Sequence, residues 1–317
     1  EPGESRGQKT QRMLEAFFDP AHKDHRHARS LKDIYINITG DARITGQRRH
    51  CDQALMREAL DSASFDDVLG DGITRRAQAD YRTASIYDVW RPLVRVVSLA
   101  DFRNQERTAW GGYTDLPTVA QGADYQPLTS PTDRKATYKA AKKGGTENVT
   151  REMILNDDAD VVRQIPIKLS RSAKRTLGKF VLDFLRNNPV IYDGVTLFHA
   201  SHGNLLTVAI GSPGWAAARL AMMKQAEPDS GEILGIGPKY LWVPGDLEEG
   251  ASDTFRRNTN QDETFIQSLK PTIVPVWYWT DPNDWCASAD PTDIPTIELG
   301  FVGGQEEPEV FVQDSPN

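Results

Sequence analysis

The stretch IPIKLSRSAKRTLGKFVLDFLRNN, Ile165–Asn188, decides how the rest of the chain is read. Ile165, Leu169, Ala173, Leu177, Val181 and Phe184 recur at spacings of four and three, the signature of one helix face. Lys168, Arg171, Lys174, Arg175, Lys179 and Asp183 fall on the other side. Asp157, Asp158 and Asp160 stand where the helix dipole favours acid, and Arg186 stands near the end that favours base. Pro166 is expected to kink or restart the helix, and Asn188–Pro189 to end it. From Ile167 to Asn187 alone such a helix runs roughly 30 Å. The pattern places Leu169, Leu177, Val181 and Phe184 in the core and Lys174 on a solvated face.

What precedes the helix is unlike it. Residues 1–30 are polar, with His22, His25 and His27 among Asp24, Arg26 and Arg29, and read as an arm rather than a core. The patch MLEAFF (Met13–Phe18) gives one or two helical turns before Pro20. Ser30, with Asp33 three residues on, is placed to cap a helix. Helical patterns follow at Asp52–Leu60, Phe65–Arg75 and Arg76–Trp90, and a strand at Leu93–Phe102. Residues 103–135 then lose all helical period and fill with Gly, Thr, Pro, Asp and Gln. Trp110, Tyr113 and Tyr125 argue against plain disorder there. With Ala136–Thr150 this predicts a long two-stranded excursion that leaves the body and returns.

After the helix the pattern is that of a second α/β body. It has a helix at Trp215–Ala226, a buried strand at Lys239–Leu247, a helix in EEGASDTFRR and a strand in TIVPVWYW. Two alternating runs follow, TIELGFVGG and PEVFVQD.

Composition narrows the function classes. Of 317 residues, 38% are hydrophobic and 26% charged, the balance of a soluble globular chain. A net charge of −8 argues against a protein whose main work is gripping phosphate backbones. No apolar run approaches the ~18 residues of a membrane helix, and the start EPGESRGQKTQR has no secretory h-region. The missing first Met fits a processed product or a fragment. Cys51 and Cys286 belong to no paired motif, which suits a reducing compartment.

The one place that invites a chemical reading is TLFHASHGNLL, Thr196–Leu206. A hydrolytic metal site using His199, His202 and Asp193 would want its two histidines four apart on a helix with a Glu between them, or a further ligand nearby. The spacing of three, with Gly203 directly after, fits better with a turn whose histidines bond nearby backbone. There is no nucleophile elbow, and Gly231–Lys239 matches neither nucleotide-loop fingerprint. Asp281, Asp284, Asp290 and Asp293 lack calcium-loop spacing and read as a solvated loop. No catalytic residue, metal ligand or cofactor is assigned.

The order of parts then carries a resemblance. VTREMILNDD (Val149–Asp158), DGVTLFHASHGNL (Asp193–Leu205) and PVWYWTDPNDWCASADP (Pro275–Pro291) occur in the order and spacing of the tailed-bacteriophage major capsid protein. The chain resembles its Hong Kong 97-type fold, and within it the Mu-type head subunit group. The resemblance implies an α+β subunit whose residues 1–102 form an N-terminal arm and helical region and 103–148 an extended β-loop over a neighbour. Residues 149–198 would form a peripheral domain around the spine helix, with 291–317 returning to it, and 199–290 an axial domain. The two-histidine stretch becomes the hinge between peripheral and axial domains. The implied function is a structural, non-enzymatic shell subunit of the virion, forming homo-pentamers and homo-hexamers in the host cytoplasm. The implied partners are portal, scaffold or maturation protease, decoration proteins, and packaged double-stranded DNA held without sequence-specific binding; no membrane is involved. The rivals are an encapsulin-like compartment and the hydrolase built on His199 and His202.

Overall fold

The computed structural model describes residues 6–28, 30, 34, 63–147, 159–256, 264–294 and 297–311. The expected helices at Ser30 and Asp52–Leu60, the motif Val149–Asp158 and Cys51 lie outside them. The architecture is α+β and divides into two compact units.

The first unit comprises residues 1–85, 142–177 and 306–317. Its first helix, α1 (Arg6–Phe18), buries Met13, Leu14, Ala16, Phe17 and Phe18 with Ala28, Ile34, Ile73 and Val162 in one cluster. Ile73 comes from α2 (Ala63–Arg82) and Val162 from α3 (Ala159–Asn187), which passes from this unit into the next at Leu177–Gly178. The expectation of an arm without a core is therefore corrected for residues 6–28. MLEAFF is short, but five of its six positions are buried, all but Glu15, and the polar turns after it are held in place. Arg163 donates from Nε to Phe17 O (3.0 Å) and from Nη2 to Ala28 O (2.8 Å), and its guanidinium lies 4.1 Å from the Phe17 ring centroid. His25 Nδ1 sits 2.7 Å from Ala16 O, and Arg12 pairs with Asp24. The histidines of this stretch thus serve a turn.

Two other elements differ from the pattern. The helix expected as two pieces, Phe65–Arg75 and Arg76–Trp90, is one helix ending at Arg82, followed by a 3-10 helix at Ile86–Leu93 in the second unit. The terminal run PEVFVQD forms no strand over its described residues. Val310 packs on the α1 cluster, Thr74 Oγ1 donates to its carbonyl, and Arg82 grips Glu307 at 2.6 and 3.1 Å.

On α3 the buried line is Val162, Ile165, Pro166, Ser170, Lys174, Gly178, Val181 and Leu182. The helix is continuous through Pro166 rather than restarting there. The expected stripe is displaced by about one residue: Val181 is buried, Leu169 and Leu177 are half-buried, and Phe184 is 37% exposed. Lys174, placed by the pattern on the solvated face, is 3% exposed. Its ammonium donates to Thr83 O and lies 5.3 Å from the centre of the Tyr81 ring.

The second unit comprises residues 86–141 and 178–305. A three-stranded sheet orders β5 (Thr272–Val276), β4 (Tyr240–Pro244) and β6 (Cys286–Ser288), with β4 parallel to β5 and antiparallel to β6. Against it pack α4 (Ser212–Met223) and α5 (Gly245–Arg256), burying Trp215, Leu241, Val243, Ala251 and Phe255. Trp215 and Phe255 meet edge to face at 5.1 Å. A short helix, α6 (Phe265–Ser268), opens on a capping box between Thr264 and Gln267. Elsewhere in the unit β1 (Arg95–Leu99) runs parallel to β7 (Glu298–Val302), and β2 (Gln105–Trp110) is antiparallel to β3 (Asp133–Tyr138).

The aromatic run after β5 seats the C-terminal part of α3. A Cβ at Gly178 would stand 2.7 Å from Tyr87 O and 2.9 Å from Trp277 Cη2, so only glycine permits this approach. Tyr278 donates to Asp183 Oδ1 at 2.8 Å, and Lys179 and Arg186 lie over its ring at 5.2 and 5.9 Å. Burial and the neighbouring carboxylate push the Tyr278 phenol well above its ordinary range.

Candidate functional site: an exposed β-excursion and a two-histidine turn

The excursion is built on the β2–β3 pair, in register from Gln105 opposite Tyr138 to Trp110 opposite Asp133. Its root is tied to β7. Arg107 Nε bonds Glu298 Oε1 at 2.6 Å, Tyr138 donates its phenol to the same carboxylate, and Arg107 lies over the Tyr138 ring. Burial, then the bond to Glu298, pushes the Tyr138 phenol up to about 12. A further ion pair, Lys135 to Glu106 at 2.6 Å, crosses the two strands diagonally.

Beyond Trp110 the ladder stops and residues 111–132 form no strand. A second anchor holds their ends. Thr132 donates its N–H and its hydroxyl to Asp229, and Gly112 N donates to Pro228 O at 3.0 Å. The approach demands glycine at position 111, where a Cβ would stand 2.6 Å from Pro228 O and 2.0 Å from Asp229 Oδ2; at Gly112 a Cβ would meet only the end of the flexible Glu227 side chain. Asp229 itself takes a positive φ of 72° in the turn that joins Ala226 to Ile233. Sequence reasoning missed this clamp, although Pro228-Asp229-Ser230-Gly231 is a turn signal. Between the anchors the chain exposes Trp110 (71%), Tyr113, Leu116 (79%), Tyr125 (87%) and Leu128. That much bare aromatic and aliphatic surface, held by two fixed ends, is suited to a partner surface rather than to water.

The two-histidine stretch follows α3. Asn188, with a positive φ of 47°, accepts from Phe198 N and donates to Phe198 O, closing the segment between them. Within it Val190 bridges Thr196, and Asp193 accepts from Val195 N. A 3-10 turn, Ala200–His202, then runs from His199, whose Nδ1 accepts from Ser201 N, to Gly203 in the left-handed region at φ 63°. His202 Nε2 lies 2.7 Å from Asp193 Oδ2 and its Nδ1 lies 3.1 Å from Leu197 O. Both partners are acceptors, so the doubly protonated ring fits best. The bonds to Asp193 and to the Leu197 carbonyl raise the His202 pKa above its ordinary value of 6.5; the bonds from Val195 and His202 lower that of Asp193 below 3.8.

Those directions set a pH window. The raised histidine contributes stability that is fully present below about pH 6.5 and fades as pH rises through its folded value. The depressed carboxylate contributes above about pH 4 and fades as pH falls through its own. The turn is therefore firmest between them. His202→Asn is expected to lower the melting temperature more at pH 5.5 than at pH 9, and only slightly in either case, since the pair is partly solvated. An equal loss at both pH values would mean that the ring's charge does not matter.

The other candidates are dispersed. Among the described residues no three His, Cys, Asp or Glu side chains converge as a metal shell requires. Cys286 is half-buried as a residue, and the burial of its thiol pushes it up to about 12. Asp290 pairs with Lys239 and accepts from Thr292, holding its carboxyl at about 2, whereas Asp281 caps Asn283 in an exposed loop. No described helix is long and apolar enough to cross a membrane.

Residues 134–317 match the phage capsid protein family, more than half of the chain. The chain belongs to that family. It is a major capsid protein, a structural component of a bacteriophage virion. No curated protein and no solved structure matches it. The family match begins at Arg134, inside β3, and takes in all of α3, the two-histidine turn and the α4–β7 body. The first strand of the excursion and its exposed span precede it, so the anchoring of this capsid subunit's excursion rests on the structure.

Proposed function

We propose that the chain is a Hong Kong 97-type shell subunit, of the Mu-type head group, that assembles into pentamers and hexamers of an icosahedral container for double-stranded DNA. In this reading residues 103–148 overlap a neighbouring subunit, α3 is the spine of a peripheral domain, and residues 199–290 face the capsomer axis. The turn from Asn188 to Asn204 is the hinge between them and has no catalytic role. Portal, scaffold or maturation protease, and decoration proteins complete the assembly in the host cytoplasm.

The observation that carries the reading is the excursion. Trp110, Leu116 and Tyr125 are more than 70% exposed, yet the ends of their loop are fixed by Glu298 and by the Pro228–Asp229 clamp. Surface of this kind gains its burial from a neighbour, and many modest contacts repeated around a shell sum to a stable particle. Electron microscopy of the purified protein tests it: closed particles are expected, with nucleic acid inside. Protein cargo in place of DNA would make the shell an encapsulin-like compartment, and a monomer under all conditions would refute assembly. Amide exchange at residues 111–131 is expected to be fast in free subunits and slower by at least tenfold in particles. Equal exchange in both states would remove the excursion from the interface.

A further inference from the structure

Gln164, Lys168, Arg171, Arg175 and Thr176 are the exposed positions of α3 between Gln164 and Leu177, within the first unit. At 100° per residue, Gln164, Lys168, Arg171 and Arg175, all in the first unit, fall within an arc of about 60°, and Lys168 to Arg175 spans roughly 10 Å. No acidic residue shares that span, and Lys168, Arg171 and Arg175 form no ion pair among the described residues. Within the first unit the line is backed by burial, the other side of the helix being buried from Val162 to Lys174.

We infer that this stripe binds the phosphate backbone of duplex nucleic acid. The inference rests on the shell reading and adds to it which face of the subunit meets the enclosed genome. A protein partner fits less well. Interfaces between proteins centre on apolar anchors and thin out charge, whereas the exposed residues here are Gln, Lys, Arg and Thr, with no apolar one before Phe180. A row of cations that form no ion pair among the described residues suits a polyanion, which presents about one charge per 1.7 Å of duplex and is held by counterion release. The binding is independent of base sequence because nothing in the stripe can enter a groove and read base edges. The net charge of −8 keeps each contact weak, so that DNA is held along many subunits without being clamped by any.

The test compares the full-length protein with its K168Q/R171Q/R175Q variant and with a control, R95Q/K224Q/R256Q, that removes three exposed cations elsewhere. Binding of a random-sequence 30-base-pair duplex is measured against salt. At about 0.9 per phosphate contact, the slope of log K against log salt is expected to shallow by about 3 in the stripe variant and by less than 1 in the control. The single variant R175Q, the smallest perturbation, should shallow it by about 1. An unchanged slope in the stripe variant, or equal changes in stripe variant and control, overturns the inference and leaves an ordinary solvated face. Loss of particles in the stripe variant with an unchanged DNA slope overturns it too, and assigns the stripe to an acidic face of a second copy. The shell reading fails separately, by the absence of particles from the unmutated chain.

Discussion

Lys174→Glu is expected to remove the soluble subunit, although a pattern of charges on a helix would call it a harmless surface exchange. Lys174 is 3% exposed, and its ammonium donates to Thr83 O. The substitution replaces that donor with a carboxylate facing a carbonyl, two acceptors with no proton between them. It also places negative charge beside Tyr81, whose ring face is itself negative. A buried charge left without its partner costs roughly 3–5 kcal/mol. That is a large share of the ~5–15 kcal/mol by which a domain is stable. Lys174→Met, which keeps the aliphatic stem but loses the donor to the Thr83 carbonyl, is expected to cost about 1–3 kcal/mol and to remain foldable. The soluble fraction and thermal melting of both variants decide the matter. If Lys174→Glu melts within a few degrees of the unmutated protein, the ammonium is not buried in solution and the orientation assigned to α3 is wrong. High salt should not rescue it, because a buried interaction is screened little.

The same helix shows why the sequence could be read for its elements but not for all of its faces. Its existence, length and end at Asn188 follow from periodicity and from Pro189, as does the two-stranded excursion from its composition. The face was misplaced because the buried line of α3 includes Ser170, Lys174 and Gly178, which hydrophobic periodicity scores as outward. A glycine is buried there because Tyr87 O and Trp277 leave no room for a Cβ, and a lysine because its stem packs and its tip finds a carbonyl. Neither partner is near in sequence, so no local pattern could reveal them. The two-histidine turn was legible, because its partners Asp193, Leu197 and Asn204 all lie within nine residues of the histidines. The Asp229 clamp joins segments 97 residues apart, and only its turn residues left a mark in the sequence.

The N-terminal segment makes the converse case, a polar stretch that hides a core. Phe17→Ala is expected to destabilise the first unit by roughly 3–5 kcal/mol, the range for emptying a fully buried aromatic site. Phe17 is 0% exposed, meets Phe18 edge to face at 5.1 Å and carries the Arg163 guanidinium over its ring. The ring contact adds about 0.5–2 kcal/mol to what the lost area accounts for, and the loss cannot be relieved by collapse, because Arg163 is also fixed to the carbonyls of Phe17 and Ala28. Phe17→Leu should recover part of the stability by refilling volume without restoring the cation contact. The exchange experiment distinguishes this core from an arm ordered only by neighbours. Amides of residues 13–18 are expected to be protected in free subunits to the same degree as those of α2, and to lose that protection together in Phe17→Ala. Fast exchange at residues 13–18 in the free subunit, with a melting temperature unmoved by Phe17→Ala, would return the segment to the status of an arm that folds only on assembly.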